Sequence, residues 1–492
     1  MIKNNKWLLL VALTVMACSD DDTVVVNDTS DGLPLTAGSA DFSKFVSLGN
    51  SLTAGFSDNA LFIEGQANSY PAILADQFSL VGGGEFRIPY TSDNTGGLLL
   101  GGNVIAGPRL FFNGSGPQPV SGVPTTEVST VLSGPFNNLG VPGAKSFHLL
   151  APGYGNVAGV LTGQANPYFV RFASSSGATV LGDATVQNPS FFSLWIGNND
   201  VLSYATSGGS GVNQTGNLNP ATYGSNDITD PNVFASVYST LIDGLTSNGA
   251  KGVVANIPYV TTIPYFTTVP HNPIPLDAAT AAQLNAGYSA YNNGLLFAQS
   301  NGLLTAAEVT RRTITFSASS TNAVVMVDSY LTNLTGFGIP SLRQATAEDL
   351  IVLPARTFIG TTVGGNPAQI NGVSVPLADN WVLCKQEINE LKTATDSYNA
   401  AITAIAASKG LAFVDANALL TQVATGGITA NNYTVTSAYV TGGGFSLDGV
   451  HPSPRGYALI SNYFIQAINA TYGSNFKGVS LRDYRILYPM TL

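Results

Sequence analysis

Short apolar runs alternate with amphipathic stretches along the chain from about residue 41 onward. Runs of four to seven residues, rich in Phe, Val, Ile and Leu, have the length and composition of strands buried on both faces of a sheet. The predicted strands are Phe45–Leu48, Phe191–Ile196, Lys251–Ile257 and Leu411–Asp415.

Helical spacing follows or separates these runs. Asp230 is a predicted cap, Pro231 occupies the first position of a helix that reaches Ser247, and further helices are predicted at Ser69–Asp76, Ala278–Ser300, Lys385–Lys409 and Pro454–Ala470. Strands that alternate with helices favour an α/β fold. We therefore predict a three-layer α/β/α sandwich around a mainly parallel, doubly wound sheet.

Three stretches do not fit this alternation. Residues at about 80–136, 205–228 and 310–380 are rich in Gly, Ser, Thr, Asn and Pro. Loops of this length usually carry function or small structure of their own. We interpret them as long, partly β insertions on a single domain that spans residues 41–492.

The first 40 residues have the pattern of an export signal and a tether. Lys3 and Lys6 precede a short apolar run that ends at Ala17, which predicts a signal peptide over residues 1–17. The following Cys18 resembles the lipidated cysteine of a bacterial lipobox, and the acidic residues 20–22 resemble a surface-export signal. The expectation is an exported bacterial lipoprotein of the outer membrane, exposed on the cell surface, with a flexible acidic tether over 18–40 and a lipid anchor as its only membrane contact. The alternative is a plain secretory signal with a chance cysteine.

The composition and charge of the chain argue against nucleic-acid binding and against intrinsic disorder. The formal net charge is −10 and charged residues make up only 10% of the chain. No Lys/Arg run offers the basic surface that nucleic-acid binding requires, so no nucleic-acid partner is expected. Hydrophobic residues at 45% supply a large core and argue against disorder. The sequence indicates no metal site and no cofactor.

The candidate catalytic residues lie near the two ends of the predicted domain. Ser51 follows the first predicted strand, between Gly49 and Gly55, so its hydroxyl should lie at the carboxyl edge of the sheet. Asp448 precedes His451 by three residues, just before the last predicted helix. A serine hydroxyl becomes a good nucleophile when a neutral imidazole accepts its proton, and a carboxylate fixes that imidazole. These residues are therefore the candidate nucleophile, base and orienting carboxylate.

Two further positions could stabilise an oxyanion. Gly143 lies in the run Gly140–Lys145, and its backbone N–H could approach an oxyanion without side-chain hindrance. Asn199 lies just after the predicted strand Phe191–Ile196, and its side-chain amide could donate in the same way. Donors of this kind are worth about 10²–10³ in turnover.

Taken in order, these blocks resemble the GDSL or SGNH hydrolases, a family of serine esterases and lipases. The matching segments are Gly49–Leu52, Gly143, Gly197–Asp200 and Asp448–His451, and the large bacterial lipoprotein members are the most similar. The resemblance implies an SGNH-hydrolase, flavodoxin-like fold, a Ser51–His451–Asp448 triad, and an oxyanion hole formed by the N–H groups of Ser51 and Gly143 with the Asn199 amide. Asn50 departs from the family, which usually has Asp there.

The function expected from this resemblance is hydrolysis of small-molecule or lipid carboxylic esters through an acyl-enzyme. The alternatives are a carbohydrate O-acetyl esterase of the same family and a surface lipoprotein that binds without chemistry. Four apolar runs in the insertions could wall an acyl pocket or simply fill the core: residues 98–100, 110–112, 337–339 and 350–353.

Overall fold

The computed structural model describes residues 29–492. The predicted signal peptide, Cys18 and the first part of the predicted tether lie outside the described residues.

The strands are short, and most lie in the inserted stretches. They are β1 (Phe45–Gly49), β2 (Leu98–Leu100), β3 (Asn103–Ala106), β4 (Leu110–Phe112), β5 (Pro117–Pro119), β6 (Asn138–Gly140), β7 (Phe191–Trp195), β8 (Lys251–Ala255), β9 (Ile274–Leu276), β10 (Ser319–Asn322), β11 (Val325–Val327), β12 (Leu342–Gln344), β13 (Leu350–Ile351), β14 (Thr362–Val363), β15 (Asn366–Ile370), β16 (Val382–Leu383), β17 (Ala412–Val414), β18 (Ile428–Ala430) and β19 (Tyr433–Val435).

The helices include several long ones that pack on the central sheet. They are α1 (Ser51–Ala54), α2 (Ile63–Ala67), α3 (Tyr70–Ser79), α4 (Pro167–Val170), α5 (Val180–Thr185), α6 (Asn199–Thr206), α7 (Pro231–Thr246), α8 (Pro264–Thr267), α9 (Ala278–Ser300), α10 (Ala306–Arg312), α11 (Ala355–Phe358), α12 (Lys385–Ser408), α13 (Ala416–Thr425) and α14 (Pro454–Tyr472). Within residues 29–492, no helix is both long and apolar enough to cross a membrane.

Five parallel strands form the central sheet in the order β17-β8-β7-β1-β6. Counted along the chain, this is the doubly wound order 2-1-3-4-5, which confirms the predicted fold class. In such sheets the strand order reverses between the first and third strands, here β1 and β7, and ligands bind outside their carboxyl ends. Ser51 follows β1 and Asn199 follows β7, so both lie at this switch point.

Helices cover both faces of the sheet, as a buried parallel sheet requires. Side chains alternate along each strand, so Val46 and Leu48 pack into one apolar cluster while Phe45 packs into the other. The first cluster includes residues of α7 and α12, and the second includes residues of α3 and α14. The sheet therefore lies between two helical layers.

The predicted elements agree closely with the structure. Helix α9 has the predicted bounds, and α12 ends one residue earlier than predicted. The Asp230 side chain caps α7 by accepting hydrogen bonds from the N–H groups of Asn232 and Val233, at 2.8 and 3.0 Å. Pro231 is the first residue of that helix because proline has no N–H to leave unsatisfied there.

The inserted stretches contain short antiparallel pairs. Residues 80–136 contain the β2–β3 and β4–β5 pairs, and residues 310–380 contain the β11–β12 and β14–β15 pairs. Val325, Leu377 and other residues of the third stretch belong to the same apolar cluster as one face of the central sheet. This insertion therefore packs on the core of the sheet.

Residues 29–40 correct part of the predicted tether, because they are docked rather than free. The Ser30 N–H donates to the Asn475 carbonyl at 2.7 Å, and the Thr36 N–H donates to the Asn475 side chain at 2.8 Å. Farther along, the Ser39 N–H donates to the Tyr472 carbonyl at 2.7 Å. Asn475 and Tyr472 supply these acceptors, so residues 29–40 are not the flexible coil that the sequence predicts.

Candidate active site

The turn that carries Ser51 is fixed by close backbone contacts. Ser51 is the first residue of α1, and the Asn50 side chain caps this helix by accepting a hydrogen bond from the Leu52 N–H at 3.0 Å. A Cβ at Gly49 would lie 2.2 Å from Thr53 Oγ1 and 2.4 Å from the Trp195 carbonyl oxygen, so only glycine fits. Gly55 ends the helix in the left-handed region, at a φ of 84°. The Ser51 side chain is consequently held at the carboxyl edge of β1.

The structure brings Ser51, His451 and Asp448 together in line. His451 Nε2 lies 2.9 Å from Ser51 Oγ, and His451 Nδ1 lies 2.9 Å from Asp448 Oδ2. An ionised carboxylate only accepts hydrogen bonds, so Nδ1 carries the hydrogen. The lone pair of Nε2 then faces the serine hydroxyl. This is the arrangement that a general base and its nucleophile need.

Asp448 is mostly enclosed, with 9% of its side chain exposed, yet it is held in its ionised form. Burial by itself would raise the pKa of Asp448, but the charge of the His451 imidazolium and its hydrogen bond outweigh burial and lower that pKa to about 2. The backbone N–H groups of Val450 and His451 add two hydrogen bonds to Asp448 Oδ1, each of 2.8 Å. The carboxylate is therefore available to orient the imidazole over the whole neutral range.

The predicted oxyanion donors surround the same edge of the sheet. Ser51 occupies the first helical position, where an N–H has no partner within the helix. Asn199 lines the same cleft as Ser51 and His451. Its amide donates to the Ala144 carbonyl at 2.9 Å, which ties α6 to the loop that contains Gly143. A side-chain amide has two hydrogens, so the second is free for a ligand.

Gly143 itself does not line the cleft, although its neighbour Ala144 contacts Asn199. It adopts a φ of +81°, which glycine tolerates without strain. The role of Gly143 in an oxyanion hole stays a prediction.

The departure at Asn50 has a local explanation. Asn50 Nδ2 donates to Asn198 Oδ1 at 3.1 Å, which joins the turn after β1 to the turn after β7. An ionised aspartate could not donate this bond. Asn50 therefore keeps the capping function of an aspartate and adds a link between the two strands of the switch point.

An apolar cleft opens beside the Ser51 hydroxyl. It encloses about 830 Å³, including its open mouth. Asn50, Asn198 and Asn199 contribute polar side chains beside Ser51 and His451, and most of the other lining residues are apolar. Helices α13 and α14, the loop after β8 and the loop before α14 supply the apolar wall, which includes Ile263, Leu419, Val423, Phe445, Leu459 and Ile460. The cleft can therefore receive an apolar group next to the serine.

The apolar runs of the insertions do not form this wall. Residues 98–100, 110–112, 337–339 and 350–353 are not among those that line the cleft. Leu98 belongs to a separate small cluster, Ile351 belongs to the main core, and Phe337 is 67% exposed. Core filling, the second alternative, is thus the better description of Leu98 and Ile351.

One turn beside the site was not identified from the sequence as part of it. Residues Ser57–Ala60 form a tight turn, and its Asn59 N–H donates to Asp448 Oδ2 at 2.9 Å. The preceding residue, Asp58, is a buried carboxyl beside the same loop. Asp and Asn are common where the backbone is left-handed, so the pair Asp58-Asn59 predicts a turn. Nothing in the pair indicates a partner that is 389 residues away in sequence.

The other histidines are not part of this arrangement. The ring of His148 stacks on Tyr154 with centroids 4.6 Å apart, and burial lowers the pKa of His148 to about 4. Within residues 29–492, no three His, Cys, Asp or Glu side chains are grouped as a metal site would require.

Comparisons with known proteins give two structures of low similarity. No family model matches the chain, and no curated protein matches its sequence. The first structure is a point variant of an acetyl-xylooligosaccharide esterase from Geobacillus stearmophilus, with 10% identity over 88% of this chain and 96% of that chain, and a TM-score of 0.32. The second is an extracellular lipase from Streptomyces rimosus, with 12% identity over 87% of this chain and 98% of that chain, and a TM-score of 0.26.

Proposed function

We propose that the chain is a serine hydrolase of carboxylic esters, an esterase or lipase of the GDSL or SGNH type. One observation carries the proposal: the Ser51 hydroxyl lies 2.9 Å from His451 Nε2 beside an apolar cleft. A base in contact with an alcohol, with a carboxylate behind it, is the arrangement for nucleophilic acyl transfer.

The proposed reaction has two acyl transfers. Ser51 Oγ attacks the ester carbonyl carbon while its proton moves to His451 Nε2, giving a tetrahedral intermediate and an imidazolium. The intermediate collapses, the bond to the alcohol oxygen breaks, and the imidazolium gives its proton to the departing alcohol. Water then loses a proton to His451 and attacks the acyl-enzyme. The second collapse releases the acid and returns the proton to Ser51.

Asp448 makes both proton transfers easier. Its carboxylate holds the hydrogen on Nδ1 at 2.9 Å, so Nε2 is the nitrogen that accepts a proton. It also stabilises the positive charge that develops on the imidazole during attack. The Ser51 and Gly143 N–H groups and the Asn199 amide are the proposed donors to the negative oxygen.

The cleft favours substrates with an apolar acyl group. Apolar surface that leaves water contributes roughly 25 cal/mol per Å², so an acyl chain in this cleft would gain binding free energy with each methylene. The cleft borders Ser51 directly, as an acyl site must. We therefore favour simple carboxyl or lipid esters as substrates.

Two alternatives are weaker on the same observations. A carbohydrate O-acetyl esterase would gain from exposed aromatic rings, but Trp195, which lines the cleft, is only 3% exposed and donates its ring N–H to the Asn256 carbonyl. A lipoprotein that only binds would not need an imidazole positioned between a carboxylate and a serine. Both remain outcomes of the test.

The test is hydrolysis of p-nitrophenyl esters from acetate to palmitate, by the protein and by Ser51→Ala. We expect hydrolysis to extend to long acyl chains and to disappear in Ser51→Ala. Release of acetate from acetylated xylan with no activity on longer esters would support the carbohydrate esterase. Absence of hydrolysis on every ester would support the binding protein.

The predicted anchor is retained as a separate proposal. Cys18 carries the lipid, and the protein is held at the surface of the outer membrane by that lipid alone. The motif Val15–Cys18 and the acidic residues after it support this. Labelling of expressing cells with a palmitate analogue should mark the protein, and Cys18→Ala should abolish the label. An unlabelled parent protein would leave a plain secretory signal as the explanation.

A further inference from the structure

The turn Ser57–Ala60 is hydrogen-bonded to the loop that carries Asp448 and His451. Ser57 and Ala60 exchange two backbone hydrogen bonds, of 3.1 and 3.0 Å. Between them, Asp58 and Asn59 both have positive φ, at 50° and 65°. This places successive polar groups of the turn toward one side. The loop of residues 446–452, which carries Asp448 and His451 and is called the catalytic loop below, lies on that side.

Four hydrogen bonds join the turn to that loop. Two come from the residues on either side of Asp58. Ser57 Oγ donates to the Pro452 carbonyl at 3.1 Å, and the Asn59 N–H donates to Asp448 Oδ2 at 2.9 Å. The other two belong to Asp58. Its N–H donates to Ser446 Oγ at 3.0 Å, and its Oδ1 accepts from the Leu447 N–H at 2.8 Å.

These contacts connect the two separated parts of the candidate site. The turn follows α1, which begins at Ser51, after only two residues, so its position depends on the position of the serine. The same turn contacts the backbone on both sides of Asp448 and the carboxylate itself. Movement of the turn would therefore change the distance between the imidazole and the serine.

We propose that Asp58 is a positioning residue for the ester hydrolysis proposed above: its Oδ1 fixes the Leu447 N–H, and through it the Asp448 carboxylate that orients His451. The inference rests on the proposed function and extends it to a residue outside the Ser51, His451 and Asp448 arrangement. Asp58 does not line the cleft and is not expected to touch the substrate.

The second oxygen of Asp58 supports a specific role for this carboxyl. Asp58 is 1% exposed, and its Oδ2 has no hydrogen-bond partner within residues 29–492. An unpartnered buried polar atom costs stability, commonly about 1–3 kcal/mol. The stability of the turn alone therefore does not explain a buried carboxyl at this position.

Burial and nearby charges together determine the pKa of Asp58. Burial raises the pKa of Asp58 to about 7; the Leu447 N–H lowers that pKa, the neighbouring Asp448 carboxylate raises it, and the Arg109 guanidinium lowers it. The other titratable groups that feel Asp58 are the phenols of Tyr439 and Tyr488. Ionisation of Asp58 near neutral pH adds a second negative charge beside Asp448.

The experiment compares Asp58→Ala and Asp58→Asn with the parent. The amide oxygen of Asn can still accept the Leu447 N–H, and Asn tolerates the left-handed backbone. Alanine lacks that acceptor. We expect kcat to fall by about tenfold or more in Asp58→Ala with KM within about twofold, and Asn to restore most of the loss, because positioning acts on the transition state.

A matched control separates this effect from backbone strain. Asn188 has a φ of 49°, nearly the same as Asp58, but it precedes β7 at the opposite edge of the sheet. Asn188→Ala imposes the same strain far from the catalytic loop. We expect this control to lower the melting temperature without changing kcat.

A second variant keeps the proposal testable if Asp58→Ala does not fold. Asp58→Gly removes the same acceptor, and glycine adopts the positive φ at this position without strain. We expect the same loss of kcat in Asp58→Gly with little change in KM, and a kcat within about twofold of the parent overturns the proposal.

The remaining outcomes are also decisive. A folded Asp58→Ala with kcat within about twofold of the parent overturns the role of Asp58, as does an equal loss of kcat in Ala and Asn. A parent protein that hydrolyses no ester contradicts the proposed function itself, and the role of Asp58 falls with it. An active parent with an unaffected Asp58→Ala contradicts only the role of Asp58.

Discussion

His451 Nε2 lies 2.9 Å from Ser51 Oγ although 400 residues separate them along the chain. Ser51 is placed by β1, and His451 is placed by the start of α14, which packs on one face of the same sheet. The contact thus depends on the whole sandwich between them. A substitution that loosens the packing of α14 on the sheet should reduce activity before it unfolds the protein.

The first prediction concerns Asp448→Asn. The amide cannot supply the negative charge that stabilises the imidazolium, and its NH₂ group favours the wrong imidazole tautomer. We expect kcat to fall by about 10²–10⁴, which is less than the loss in Ser51→Ala. Steady-state kinetics on one p-nitrophenyl ester measure both. A larger loss in Asp448→Asn than in Ser51→Ala would contradict the assigned roles.

The second prediction concerns stability in acid. The pKa of Asp448 is about 2 in the folded protein, below its ordinary value of 3.8. The ionised carboxylate therefore stabilises the fold above about pH 4, and this contribution is lost as the pH falls toward the folded pKa. Its size is of the order of 2 kcal/mol. Urea unfolding at several acidic pH values should show a smaller loss of stability in Asp448→Asn than in the parent.

The third prediction concerns Asp58, whose contribution to stability changes with pH in the opposite direction to that of Asp448. The pKa of Asp58 is raised from 3.8 to about 7 in the folded protein. Its contribution to stability is full below about pH 4 and is lost as the pH rises through the folded pKa. Asp58→Asn removes this dependence, so its unfolding free energy relative to the parent should rise between about pH 4 and pH 7. A constant difference over that range would show that Asp58 does not titrate there.

The fourth prediction tests the acyl site. Leu420 lines the cleft on α13, and tryptophan there should shorten the space available to an acyl chain. We expect Leu420→Trp to lower kcat/KM for palmitate esters by about tenfold or more while acetate esters change little. Leu99→Trp is the control, because Leu99 lies in an insertion and does not line the cleft. Equal effects of the two variants would place the acyl chain elsewhere.

Much of the fold was predictable because it depends on local patterns. The cap at Asp230, the proline at the start of α7 and the apolar strands follow from backbone chemistry within a few residues. Ser51 and the Asp448–His451 pair were also found in this way, since each follows or precedes an element whose type the pattern indicates. The rule that carboxyl ends of parallel strands share one edge brings Ser51 and Asn199 together, whereas the Asp448–His451 pair reaches that edge from the loop before α14.

The rest depends on contacts that no local pattern records. The docking of residues 29–40 on Asn475 joins the two ends of the described chain, and a short polar segment without strong periodicity gives no sign of it. The apolar runs at 98–100 and 350–353 have the composition of a pocket wall, but core and pocket use the same residues. Asp58 was missed because its partners lie in a loop almost at the other end of the chain.

The most direct test is to map where a fluorophosphonate reacts. This reagent forms a stable adduct with a serine that an adjacent base has activated, so it reports the nucleophile itself. Peptide mass spectrometry of the labelled protein should show the adduct on Ser51, with ester hydrolysis lost in proportion to labelling. Hydrolysis of esters by a protein that labels at another residue, or that does not label at Ser51, would contradict the account.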